Sequence, residues 1–190
     1  MQKQRGFLYY CKMEIHLHNK TFTPYISESE IQQSVKNIAK KISNNYKNET
    51  PLFLGVLNGS FIFCADLLKE YKHACNISFI KLASYEQTTS TGTVNELIGL
   101  NEDLTNRTVI VLEDIVDTGN TLEKIVEILK QQPIKEFKIA TLFLKPDVYK
   151  KEIFIDYVGL EIKNNFIVGY GLDYDGLGRN LKEVYKLKEN

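Results

Sequence analysis

The chain is short of proline, cysteine and histidine, carries no net charge and has no long apolar run. Its 190 residues include only four prolines, three cysteines and three histidines. Cys11, Cys64 and Cys75 stand apart, without metal-ligand or redox-pair spacing, and the histidines form no cluster, so nothing points to zinc. His16 and His18 alternate in Glu14-Ile-His-Leu-His18, which predicts that both lie on one solvated face of a strand. An odd cysteine count without a secretion signal fits a reducing cytosol. Lysine plus arginine equals aspartate plus glutamate at 24 each, so no net field draws in nucleic acid or an anionic membrane surface. No apolar stretch approaches the roughly 18 residues that a spanning helix needs. Residues 7–11 are too few and too aromatic for a signal-peptide core. There are no repeats and no low-complexity linkers.

What is present is the patterning of one domain large enough for a proper core. We expect it over residues 13–190, with residues 1–12 as an N-terminal extension. Ser27-Glu-Ser-Glu30 has the form of a capping box, and Ile31, Val35, Ile38 and Ile42 then mark an amphipathic helix. Residues 52–57 form an apolar strand that stops at Asn58-Gly59-Ser60, and residues 61–68 read as a helix with Cys64 in its core face. Residues 77–82 and 137–144 are further strands, whereas residues 85–93, with four threonines and a glycine, read as a mobile loop. Strands alternating with helices imply an α/β fold with a mostly parallel twisted sheet flanked by helices. The end segments break that alternation. They are expected to form a small lobe from residues 13–26 and 151–190 beside a core over residues 27–150.

The segment Val109-Ile-Val-Leu-Glu-Asp-Ile-Val-Asp-Thr-Gly-Asn-Thr-Leu122 carries the most chemistry. Four apolar residues run into Glu113 and Asp114, then Asp117 leads into Thr118-Gly119-Asn120-Thr121, and Leu122, Ile125, Val126 and Leu129 follow at helical spacing. This predicts a buried strand, a polar loop that holds all three carboxylates, and a helix opening onto that loop. In open parallel sheets such a loop is where ligands bind. Backbone N–H groups and hydroxyls at a helix N-terminus suit a phosphate, and carboxylates suit a metal ion or sugar hydroxyls. Asp and Thr also cap helices and complement the macrodipole with no further function. That reading would suffice for an arbitrary Asp-x-x-Asp-Thr-Gly.

The full string Glu-Asp-Ile-Val-Asp-Thr-Gly-x-Thr after an apolar strand is more particular. It resembles the phosphoribosyl-diphosphate loop of type I phosphoribosyltransferases. Further segments, in unbroken order from about residue 14 to the end, resemble the hypoxanthine-guanine branch of that family. The resemblance implies a parallel-sheet core with a hood over the base. It also implies a magnesium-dependent reaction joining hypoxanthine or guanine to phosphoribosyl diphosphate, with pyrophosphate released. Partners would then be phosphoribosyl diphosphate and a 6-oxopurine, with no nucleic acid and no membrane, in a homodimer or homotetramer.

Roles follow residue by residue from that resemblance. Thr118, Gly119, Asn120 and Thr121 would hold the 5′-phosphate, with Asn120 where relatives often carry Lys. Glu113 and Asp114 would accept from the ribose hydroxyls and lie close to magnesium. Leu57, Asn58 and Gly59 match the pyrophosphate loop, in which the peptide corresponding to Leu57-Asn58 is often cis in relatives and many relatives place Lys where this chain has Asn58. An ordinary Asn-Gly turn would serve as well for that loop taken alone. Asp117 would take the purine's proton. Lys145 would contact the 6-oxygen, since an ammonium group has donors and no acceptor. Phe166 would stack on the base while the Ile167 backbone reads its edge, and Asn165 stands where Lys is frequent. Asp173 would hold a second magnesium, Arg179 would contact pyrophosphate, and Ser84 and Tyr85 would belong to a closing lid. The nearest rival activities are xanthine or uracil transfer, and the rival from another class is an RNA-binding regulator on the same fold. That regulator needs a basic surface, against which the balanced charge argues.

Overall fold

The computed structural model describes residues 13–82, 96–98 and 102–189, the middle segment by its backbone. The expected lid residues Ser84 and Tyr85, the loop over residues 85–93, Cys11 and the N-terminal extension lie outside the described residues. In chain order the elements are β1 (Ile15–Leu17), β2 (Lys20–Ile26), α1 (Glu28–Asn45), β3 (Leu52–Val56), α2 (Phe61–Glu70), β4 (Asn76–Leu82) and β5 (Glu96–Ile98). They continue with β6 (Thr108–Val116), α3 (Asn120–Lys130), β7 (Glu136–Leu144), β8 (Tyr157–Glu161), β9 (Ile167–Val168) and β10 (Val184–Leu187).

Strands β4, β3, β6, β7 and β8 form a parallel sheet in that order, and β5 adds an antiparallel edge beside β4. All of β3 is buried, because helices cover both faces of the sheet. Side chains alternate along each strand, so Phe53, Ile110 and Leu112 meet α1 and α2, whereas Leu54, Val109 and Val111 meet α3. The capping box at Ser27 forms as expected and starts α1, which buries Ile31, Val35, Ile38 and Ile42. The four apolar residues read for α3, Leu122, Ile125, Val126 and Leu129, are likewise its buried face. No helix among the described residues is long and apolar enough to cross a membrane.

Strand order sets the position of the site. After β3 the chain moves to β4 on one side, and it later returns to β6 on the other side of β3. The crevice at the carboxyl ends of β3 and β6 is therefore a topological switch point, where open α/β sheets bind ligands. Both candidate loops, Leu57 to Ser60 and Asp117 to Thr121, open there.

A second sheet of four strands, in the order β1-β2-β10-β9, is antiparallel and is built from both ends of the chain. The expected core boundary at residue 150 falls too early. Strand β8 pairs in parallel with β7 inside the main sheet, because Tyr157, Val158 and Leu160 continue the ladder begun by Ala140, Thr141 and Phe143. The histidine expectation also changes. His16 lies in β1, but His18 has turned out of the strand with φ 50 and sits within hydrogen-bonding distance of the Asp175 carbonyl, 3.1 Å away.

Candidate active site

Strand β6 runs further than its apolar residues suggested. It stays paired with β7 through Glu113, Ile115 and Val116, so Glu113 and Asp114 are strand residues and not loop residues. Flanking strands exclude water there, and the two side chains are 8% and 6% exposed. Burial, reinforced by the neighbouring Asp114 charge, pushes the Glu113 carboxyl well above the usual range. Burial also raises Asp114, to about 6, against the pull of the Ile115 N–H and the Arg179 charge. The Glu113 Oε2 atom is buried without a hydrogen-bond partner. Two adjacent buried carboxylates, one with an orphaned oxygen, form a donor set suited to a hard divalent cation or to sugar hydroxyls.

Opposite them, β3 ends in Leu57-Asn58-Gly59-Ser60. The Leu57-Asn58 peptide is cis, as the resemblance implied. The Ser60 hydroxyl donates to the Val56 carbonyl at 2.6 Å and closes the turn into α2. Gly59 is required by its neighbours. A Cβ built on it would lie 1.7 Å from Asp114 Oδ2. Gly171, with φ +99, packs equally tightly on the other side, where a Cβ would be 2.0 Å from the Gly59 carbonyl oxygen. Asp114, the Gly59 loop and the segment around Gly171 are thus stacked without space between them.

Two clefts meet at this stack. The larger, about 490 Å³, is lined by Asn58, Gly59, Glu113, Asp114, Asn120, Thr121 and Arg179, and also by Lys81 and Lys124. The smaller, about 210 Å³, is bounded by Glu113 and by residues 115–122. Its floor is the start of α3, where Gly119 adopts φ 82 and no side chain caps the helix. An uncapped N-terminus leaves backbone N–H groups facing the cleft, where they would meet an anion. Glu113, Asn120 and Thr121 line both spaces.

Asp117 lies at the rim, 43% exposed in its side chain, and its Oδ2 accepts from Lys145 Nζ at 2.7 Å. Lys145 is buried and donates also to Asn164 Oδ1 at 3.3 Å. An ammonium has three protons, so one remains beyond these two described acceptors. Lys145 thereby ties the end of β7 to the segment that carries Phe166. That ring is 44% exposed and lies edge-on to Tyr174, with centroids 5.7 Å apart, while Lys20 Nζ sits 5.1 Å from its centroid. Ile167 opens β9 opposite Lys186. Asp173 holds Arg179 through Oδ1 at 2.6 Å and accepts from the Gly176 N–H through Oδ2 at 2.7 Å. Arg179 also donates to the Gly171 carbonyl at 2.7 Å. Leu57, Asn58, Gly59, Glu113, Asp114, residues 117–121 and Arg179 line the two clefts, Lys145 meets them through Asp117, and Asp173 meets them through Arg179. Phe166 and Ile167 lie on the small sheet, beside Tyr174 and Lys186, and Ser84 and Tyr85 are outside the described residues.

Three residues at the site went unread in the sequence: Lys81, Lys124 and Asn164. Each carried a faint signal. Lys81 is a charge near the end of an apolar strand, Lys124 follows Thr121 by three residues, on the same helical face, and Asn164 directly precedes Asn165, in the segment expected to hold the base.

Comparison with known proteins points to one family. Residues 27–175 match the family model described as the phosphoribosyl transferase domain. The hypoxanthine-guanine phosphoribosyltransferase of Staphylococcus epidermidis is 39% identical over 173 residues, covering 90% of this chain and 97% of that protein. The bifunctional protein TilS/HprT of Listeria monocytogenes is 38% identical over 90% of this chain, and the chain spans 27% of that longer relative. A crystal structure of a hypoxanthine-guanine phosphoribosyltransferase from Bacillus anthracis superimposes with a TM-score of 0.80 at 38% identity, covering 86% of this chain and 96% of that one. By this match over most of its length and by these identities, the chain belongs to the phosphoribosyl transferase family, in its hypoxanthine-guanine branch.

Proposed function

We propose that this protein transfers the phosphoribosyl group of phosphoribosyl diphosphate to hypoxanthine or guanine, yielding IMP or GMP and pyrophosphate. The observation that carries the reading is the pair of contiguous clefts sharing Glu113, Asn120 and Thr121. Their linings suit the two phosphate-bearing ends of one sugar, a 5′-phosphate at the α3 N-terminus and a diphosphate beside the Gly59 loop. Glu113 and Asp114 accept from the ribose hydroxyls between them. The buried acid pair would hold magnesium, with Asp173 near enough to Asp114 for their charges to interact, and the ion would neutralise the diphosphate and ease its departure.

The base occupies the side of the crevice bounded by Asp117, Lys145 and Phe166. Phe166 offers its half-exposed face for stacking, and the remaining Lys145 proton is donated to a 6-oxygen. A 6-amino group is refused because an ammonium cannot accept from it. As N9 forms its bond to C1′, the bond from C1′ to the diphosphate oxygen breaks and the purine sheds its N7 proton. Asp117 takes that proton. The protein works in the cytosol as a homodimer or homotetramer, in keeping with its unpaired Cys64 and Cys75.

The test is an assay with phosphoribosyl diphosphate and magnesium against hypoxanthine, guanine, xanthine, adenine and uracil. Hypoxanthine and guanine are converted and adenine is not. Inactivity on both 6-oxopurines would refute the reading.

A further inference from the structure

Resting on that reading, we propose that Lys81 and Lys124 form the cationic wall for the diphosphate, and so supply the charge that the Gly59 loop lacks. The loop itself, Leu57-Asn58-Gly59-Ser60, is neutral. Of the cations lining the larger cleft, Arg179 is already held by Asp173 at 2.6 Å and by the Gly171 carbonyl. Glu113 and Asp114 bring negative charge to the same space. With the Arg179 charge balanced by Asp173, Lys81 and Lys124 are the other cationic side chains among the described residues of this lining.

Their positions suit the task. Val56 pairs with Ile80, and the Leu57 N–H donates to the Ile80 carbonyl at 2.9 Å, so Lys81 directly flanks the neutral loop. Lys81 is half-buried, which reduces salt screening of its charge, and no described residue forms an ion pair with it. Lys124 lies three residues beyond Thr121 on α3 and faces the larger cleft from the opposite side. Neither lysine lines the smaller cleft at the helix N-terminus. Their contribution is therefore directed to the diphosphate and not to the 5′-phosphate.

This asymmetry can be measured. Lys81→Met, Lys124→Met and the double variant are titrated by calorimetry with magnesium pyrophosphate and separately with IMP. Pyrophosphate binding weakens by about tenfold to a hundredfold per lysine, the range for a charge-assisted contact, while IMP binding changes less than about twofold. Lys81→Arg and Lys124→Arg, which keep the charge, retain most of the pyrophosphate affinity and serve as the reference if a methionine variant fails to fold. Unchanged pyrophosphate affinity in the folded double variant overturns the proposal, as does equal weakening of pyrophosphate and IMP. Equally weak pyrophosphate binding by the arginine variants also overturns it. A wild-type protein that binds neither ligand refutes the functional reading instead.

Discussion

Gly59→Ala tests the stack at the centre of the site. Gly59 is not among the positive-φ glycines, so its backbone accommodates alanine and the perturbation is the added methyl alone. That methyl would stand 1.7 Å from Asp114 Oδ2 and 2.5 Å from its Cγ, where ordinary contact begins at 3.4 Å. The carboxylate must therefore retreat by about 1.7 Å or the loop must move away by as much. Asp114 has little room, being buried with Oδ1 accepting from the Ile115 N–H at 3.0 Å, and the loop is backed by Gly171. Misplacement of a positioned group by about 1 Å costs on the order of 100-fold, so kcat/KM should fall by about that factor or more, ~2.7 kcal/mol of transition-state stabilisation. Overpacking should also cost about 1–3 kcal/mol of stability, a few degrees of Tm in a domain of this size. Steady-state kinetics and thermal melts of Gly59→Ala, Asp114→Ala and the double variant form a cycle. If the methyl acts through Asp114, its stability cost largely disappears once Asp114 is truncated. Wild-type turnover in Gly59→Ala, or the same stability cost in both backgrounds, would refute the reasoning.

Three further outcomes follow from the acid residues. Asp117→Asn removes the proton acceptor while keeping the side chain's shape, so turnover should fall by about 100-fold or more while IMP binding changes little. Comparable turnover in the variant would take Asp117 out of the chemistry. Asp114 is raised by burial to about 6, so between about pH 4 and pH 6 the folded protein holds more protons than the unfolded chain, and its contribution to stability declines as pH rises through that window. Asp114→Asn should flatten the decline, read as Tm against pH, and coincident curves would count against it. Binding magnesium pyrophosphate should release protons near pH 6, visible as a dependence of calorimetric heat on buffer ionisation enthalpy.

Much of the core was legible because burial periodicity is a local property of the chain. The capping box at Ser27, the apolar stripe from Leu122 to Leu129 and the continuous apolar strands all recur as read. Boundaries that depend on pairing partners were not legible. Glu113 and Asp114 looked like loop residues because carboxylates rarely lie inside a buried strand, but β7 holds them there. Strand β8 looked like part of the small lobe because its short, half-buried sequence carries no mark of which sheet it joins.

The chain alone determined the order of acid, hydroxyl and glycine residues from the end of β6 into α3, and with it the family resemblance. Such motifs are contiguous, so their spacing is written directly in the sequence. Only the tertiary structure decided which distant residues share the crevice. Asp114 meets Gly59 across 55 positions, Gly171 closes behind Gly59, and Lys145 joins Asp117 to Asn164. Lys81 and Lys124 come to the same cleft by the same route, because strand order brings β4 and α3 to either side of it. A charge has no local pattern that announces its partner, so its role becomes visible only when the sheet is assembled.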